Sequence, residues 1–361
     1  MRQPVSTALA RLVGTALPLI DSRGEASEKP YAGVPAMLPR TDSRSTAFVH
    51  YGAFLPDLPD PYRYLNTMTL IGASGTEIFD NDTLAAPDVR DTTTVFSTTA
   101  HDRQEFYRAY DASTECDFAA DGSHLRWGDA LTIDVDGSDV HIVGGYETFD
   151  VDLSLSVTDQ VSYFVRTPIY DHLSLLATYS GALTDGGGVH DLSGLGTFEY
   201  AYATTHQALR SRAVPPALKL PADFFTYPVV DLDERTQILL TCVSARGADM
   251  CRTVHLRVLG ETTRYFDDVD FEVLEYAAEP LVDQWGRTMR VPSRFAWTAR
   301  ENGATVVALE ATPDSAWRFG HGRGYAGAYT YAGEAFGEAV GGSGYIEWVD
   351  VQAEPRRRWG S

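Results

Sequence analysis

The chain has 361 residues, of which 44% are hydrophobic and 22% charged, and a formal net charge of −21. That length can carry two full cores and the composition is globular, while no apolar run reaches the ~20 residues a membrane-spanning helix takes. Nucleic acids and anionic lipid surfaces bind proteins mainly through Lys and Arg, so the acidic balance excludes both as partners.

Residues 1–44, with Pro30, Pro35 and Pro39 and no sustained period, read as a short N-terminal arm lying on the body. Arg11 interrupts the apolar stretch that follows Arg2, and Asp21-Ser22-Arg23 offers no small-x-small cleavage site, so the start reads as a leader helix or frayed arm rather than a signal peptide. From residue 45 the chain alternates almost everywhere. Leu131, Ile133 and Val135 alternate with polar residues, Gly137 turns the chain, and Val140 and Ile142 continue the pattern, which predicts a hairpin with one buried face. Val151, Leu153, Leu155 and Val157 follow the same period, as do Ile238, Leu240 and Cys242, then Val254, Leu256 and Val258. Period two dominates, and short strands of this kind predict an all-β chain of closed antiparallel sheets, because closure removes edges that would aggregate.

The stretch 206–223, with Pro215, Pro216 and Pro221, lacks a strand pattern and reads as a linker with a helical turn near Thr205–Arg212. It separates a first domain at 45–205 from a second at 224–352, and 353–361 reads as a solvated tail. The two domains share motifs in the same order: Tyr179-Ser180-Gly181-Ala182-Leu183-Thr184 pairs with Tyr325-Ala326-Gly327-Ala328-Tyr329-Thr330, and Gly194-Leu195-Gly196-Thr197-Phe198-Glu199-Tyr200 with Gly342-Ser343-Gly344-Tyr345-Ile346-Glu347-Trp348. A repeat this long is a domain rather than a solenoid unit, whose period is roughly 20–50 residues.

The closing segments Tyr325-Ala326-Gly327 and Gly342-Ser343-Gly344-Tyr345-Ile346-Glu347 resemble the final strands of the double-lipocalin proteins, and Gly194 to Tyr200 resembles the segment that ends their first barrel. That family includes carotenoid 1,2-hydratase (hydroxyneurosporene synthase), the fungal decalin-forming Diels–Alderases and, more distantly, tocopherol cyclase. The resemblance implies two tandem lipocalin-like antiparallel β-barrels, an elongated apolar isoprenoid, steroid or polyketide substrate held in or between them, and protonation, hydration, isomerisation or cyclisation without a cofactor. This chain has Thr197 where the hydratases have an aromatic, and Tyr200 where they frequently have His.

Protonating an alkene takes an acid held in an apolar cavity, where burial raises a carboxyl pKa toward the working pH. Glu199 and Glu347 are the candidates, Glu199 being favoured by the family analogy; a shared structural role at barrel closure is the simpler explanation of a Glu retained in both copies. His50 could act near neutrality or be a satisfied core histidine. Tyr51, Tyr64, Tyr200, Tyr202, Tyr329, Tyr331, Tyr345 and Trp348 form aromatic strand faces suited to an apolar ligand with a few oxygens, or to ordinary core filling.

Other motifs fail on context. Gly322-Arg323-Gly324-Tyr325-Ala326-Gly327 lacks the strand–helix–strand unit of a dinucleotide site, and Asp134 to Asp139 lacks a Glu at the twelfth position of a calcium loop. Cys242, Cys251 and His255 lack a fourth zinc ligand at a recognised spacing. No cofactor and no metal are therefore expected. Cys116, Cys242 and Cys251 are too few for a disulfide framework and fit a reducing, cytoplasmic compartment. The expected function is a cofactor-free enzyme on a lipophilic small molecule, the alternative a binding or carrier protein using the same cavity; oligomeric state stays open.

Overall fold

The computed structural model describes residues 20–31, 37–81, 83–320 and 322–352. The expected leader over 1–19 and the tail 353–361 lie outside the described residues. A short helix, α1 (Arg23–Ser27), precedes the first sheet. That sheet takes β1 (Phe48–Leu55), β2 (Leu65–Gly72), β3 (Thr92–Thr99), β4 (Glu105–Asp111), β5 (Cys116–Phe118), β6 (His124–Trp127), β7 (Leu131–Asp136), β8 (Asp139–Gly145), β9 (Phe149–Arg166), β10 (Tyr170–Asp185) and β11 (Gly188–Ala203), in the order β4-β3-β2-β1-β11-β10-β9-β8-β7-β6-β5. After a 3-10 turn at His206–Leu209 the chain enters the second half. It holds β12 (Ala222–Asp231), β13 (Thr236–Ala245), β14 (Ala248–Val258), β15 (Arg264–Phe266), β16 (Val269–Tyr276), the small pair β17 (Leu281–Val282) and β18 (Thr288–Met289), β19 (Pro292–Glu301), β20 (Ala304–Pro313), β21 (Arg318–Phe319), β22 (Tyr325–Ala335) and β23 (Glu338–Asp350). Its main sheet runs β15-β14-β13-β12-β23-β22-β20-β19-β16. Both main sheets are antiparallel, curled and nearly closed, giving the two barrel-like halves expected. No helix among the described residues is long and apolar enough to cross a membrane.

Sequence alternation becomes barrel geometry directly. In β8 and the first half of β9 every second residue is buried, so Val140, Ile142, Val151, Leu153 and Leu155 fill the first barrel while Ser and Asp face water. Trp127, Leu131, Leu175, Phe198 and Tyr200 complete that core. Trp297, Trp348, Phe271 and Phe295 centre the second, each such side chain stabilising by about 1.5–3 kcal/mol on burial.

Elsewhere the alternation stops. All of β1 and β2, residues 160–165 of β9 and 223–230 of β12 are buried without a break. Strands buried on both faces must have a second layer against them, and here each barrel presses the outer face of these strands against the other. The seam is tied by Tyr227 to Glu199, Arg257 to Ser174, Arg63 to Ser343 and Asp314, and Arg246 to Glu77. The N-terminal segment adds a strap, with Ser27 Oγ accepting from the Tyr163 amide and lying 3.4 Å from His255 Nε2.

The register revises one motif pairing. Tyr179 pairs with Gly194, but in the second half Gly342 pairs with Tyr331, not Tyr325. The counterpart of Tyr179-x-Gly181 is therefore Tyr331-x-Gly333, the second of two Tyr-Ala-Gly runs in β22. Both glycines lie against a neighbouring strand: a Cβ would stand 2.1 Å from the Asp152 carbonyl oxygen at Gly181 and 2.0 Å from that of Ala308 at Gly333. Only glycine fits such a backbone approach.

Candidate active site

Three strands of the first barrel bring the chemistry together. His50 on β1 and His172 on β10 both pair with Ala201 on the intervening β11, so their imidazoles flank a small residue. Glu199 is two residues back along β11 and so on the same face, opposite Gly52 and Ser174. This face looks out of the first barrel into the seam. From the second barrel, β12 and β23 offer Tyr227 and Glu347, a directly paired couple. Glu199 and Glu347 hold the same place in the two closing strands and enter one cavity, whose lining also includes Phe48, Phe79, Phe164, Tyr170 and Phe225.

Glu199 Oε2 lies 3.5 Å from His172 Nε2 and 3.9 Å from His50 Nε2, while its Oε1 accepts a 2.5 Å hydrogen bond from the Tyr227 hydroxyl. His50 Nδ1 is 2.8 Å from the Thr69 carbonyl, which can only accept, so Nδ1 carries the proton and Nε2 turns toward Glu199. Burial pushes the Glu199 carboxyl up, but its imidazole neighbours, His172 first and then His50, more than offset it and hold the group at about 2. Burial lowers His172. Glu347 goes the other way: burial first, then the charge of Glu199, push it well above the usual carboxyl range, against a 3.0 Å hydrogen bond from Tyr345. The two carboxyls of one cavity are thus pushed in opposite directions. Behind it the buried Arg257 donates to the carbonyl and hydroxyl of Ser174 at 3.1 and 3.2 Å and supplies a positive charge. Burial lowers its pKa to about 10, which leaves it charged at neutral pH.

Of the residues expected from the sequence, Glu199 and His50 line this cavity, and Tyr345 adjoins it, its ring 5.3 Å from Phe54 and 5.1 Å from Tyr64. Tyr51 and Tyr200 are on the opposite face and hold the arm, donating to the Met37 and Leu38 carbonyls at 2.7 and 2.8 Å. Tyr202 lies under the Arg40 guanidinium, 3.8 Å from its ring centre. Tyr329 and Tyr331 share the Trp348 face of the second sheet; Tyr329 packs on Phe295, and Trp348 donates to the Arg290 carbonyl. His172 and Tyr227 were not singled out in the sequence. Strand parity offers the one available signal: His172 is a polar residue on the seam-facing parity of β10, among buried neighbours.

Two barrel-like halves docked along a seam give a lipocalin-like double-barrel fold. It is shared with kievitone hydratase from Nectria haematococca (TM-score 0.54, 12% identity, 90% of this chain and 96% of that one), an AttH-like protein from Nitrosomonas europaea (0.57, 14%, 84% and 92%) and CghA with Sch210972 (0.50, 11%, 92% and 98%). At these identities the likeness is one of fold. The chain belongs to the DUF6670 family, a family of unknown function, whose model matches residues 68–360. No curated protein matches it.

Proposed function

We propose that this protein is a cytoplasmic enzyme that protonates a lipophilic isoprenoid, steroid or polyketide at the barrel seam and so drives its hydration, isomerisation or cyclisation with the chain's own groups. The observation carrying this reading is the pair of carboxyls that the two barrels bring into one aromatic-walled cavity, Glu347 pushed up by burial and by Glu199, and Glu199 held down by its imidazole neighbours. Glu347 is the acid: its O–H proton passes to a substrate double bond, leaving a carbocation and the Glu347 carboxylate. Glu199 and the ring faces of Phe164 and Tyr227 stabilise the cation, and capture by water or by a second double bond then sets the product. A carrier would have apolar walls with polar groups only at its mouth; ionisable side chains deep in the seam favour an enzyme. That a hydratase shares the fold supports the same class.

The cavity measures about 30 Å³, room for one or two waters, whereas small-molecule sites span roughly 300–1,000 Å³. Substrate entry therefore requires the walls to part, and the half-buried Phe79, edge-to-face with Phe225 at 4.7 Å, is the ring placed to swing.

The test is deuterium uptake. Lipids co-purifying with the protein, and a panel of polyenes, are incubated with it in heavy water and read by mass spectrometry. The reading expects one solvent deuteron per product with the wild type and a loss of about 10²–10⁴-fold with Glu347→Gln. Products without deuterium, or undiminished turnover by the variant, would overturn it.

A further inference from the structure

The three side chains that converge in the first barrel's outer face have an arrangement that acid chemistry at Glu347 does not require. His50 Nε2, His172 Nε2 and a Glu199 oxygen all lie within 4.8 Å of one another. The orientation of His50 is fixed from behind, since Nδ1–H donates to the Thr69 carbonyl and turns Nε2 toward Glu199. His172 Nε2 is buried and has no hydrogen-bond partner, although Glu199 is 3.5 Å away. Tyr227 occupies Oε1 of Glu199 and leaves Oε2 for the two imidazoles. Two imidazole nitrogens and a carboxylate oxygen thus converge on one point, a donor set that a bound cation would satisfy.

Surroundings on both sides preserve the convergence. Ala201, between the histidines, leaves the centre uncrowded. Gly52, opposite Glu199, does the same: a Cβ there would stand 3.0 Å from His50 Nε2 and 2.8 Å from the Phe54 ring, so a side chain would displace the imidazole. Metal bonds of about 2.0–2.2 Å at tetrahedral angles separate ligand atoms by about 3.4 Å. The 3.5 and 3.9 Å gaps from the imidazoles to Glu199 are close to that value, and the two nitrogens, within 4.8 Å of each other, would draw together around an ion.

We infer that His50, His172 and Glu199 form a binding site for a divalent transition-metal ion, held by two imidazole nitrogens and one carboxylate oxygen, with its open positions facing the seam cavity. The nitrogen-rich donor set selects ions such as Zn²⁺, Fe²⁺ or Co²⁺ over Ca²⁺ and Mg²⁺, which prefer oxygen. Thr69 and Tyr227 are the outer groups that orient the ligands. An ion here holds a water or a substrate oxygen beside Glu347. The three ligands come from widely separated segments, so no spacing motif marks them in the sequence. The inference goes beyond the proton-transfer reading and stands without it: an ion can bind whether or not Glu347 delivers protons.

The test uses the full chain dialysed against EDTA and titrated with Co²⁺ alone, followed by visible absorption and calorimetry. Expected are one tight equivalent, d–d bands of a four- or five-coordinate ion that Zn²⁺ bleaches, and a rise in Tm on loading. His172→Ala should abolish that equivalent, and Tyr227→Phe should weaken it by about 10–100-fold. The exposed pairs His124–Asp134 and His141–Asp152 are the competing surface sites. No tight equivalent, or one that persists in folded His172→Ala, overturns the inference. Should that variant not fold, X-ray absorption of the wild-type Co²⁺ complex decides: a first shell with two imidazoles supports the site, and one with fewer overturns it. Deuterium uptake by Glu347 is read separately, so the two ideas fail independently.

Discussion

Tyr227 of the second barrel donates to Glu199 of the first across 2.5 Å, with both side chains buried. This bond spans the seam at the point where the two closing strands bring their glutamates together. It fixes one oxygen of the ionised carboxyl, and the rest of the site is arranged around the other.

Removing that hydroxyl should therefore be felt in stability. Tyr227→Phe leaves a buried charged oxygen without its donor, which costs about 1–3 kcal/mol. A urea-denaturation midpoint unchanged from wild type would contradict the bond's role.

Activity should fall as pH rises. Glu347 must carry its proton to act, and burial together with the Glu199 charge raises its pKa, so turnover is full below that raised value and declines above it. The kcat profile of the wild type should show this descending limb. A profile that rises through the same range would assign the proton to another group.

Stability should also fall toward alkaline pH because of Asp231. Burial raises its pKa from 3.8 to about 8, helped by Asp57 and opposed by Gln237 and Arg257. The folded value exceeds the unfolded one, so the stabilisation is complete below about pH 4 and is lost as pH climbs to about 8. Asp231→Asn keeps an acceptor for the 2.7 Å hydrogen bond from Gln237 and removes the ionisation. At pH 8 it should be more stable than wild type by roughly 1–3 kcal/mol and at pH 4 equal or slightly weaker. Parallel pH–Tm curves for the two proteins would refute this.

Gly333→Ala should destabilise by about 1–3 kcal/mol or more, since its Cβ would meet the Ala308 carbonyl oxygen at 2.0 Å. Gly181→Ala should behave alike through Asp152, whereas Gly247→Ala, with nothing near its Cβ, should show only the smaller cost of a positive φ. Thermal melts of the three variants rank them.

The barrels were legible because alternation is a local signal: Val151 to Val157 states its own buried face. The seam was not, since contact between β11 and β12 is a property of two assembled sheets. Glu199 and His50 could be named from neighbouring motifs, but Tyr227 is reached only through the docking of the second barrel. Parity would have sharpened the list. Glu199 and Tyr200 are adjacent on one strand, as are His50 and Tyr51, so the members of each pair must point to opposite faces. The sequence of β22 contains the Tyr-Ala-Gly run twice, and the strand register, with Gly342 opposite Tyr331, tells the two apart.

The linker between Ala203 and Ala222 is the one covalent crossing from barrel to barrel, yet the site takes groups from both. Alignment of the halves is thus part of the site itself: a slip of a fraction of an ångström leaves each barrel intact and separates Tyr227 from Glu199. On the proposed reading, substitutions at Arg63 or Arg246, whose bonds cross the seam away from the cavity, should alter turnover through the fit of the two bodies.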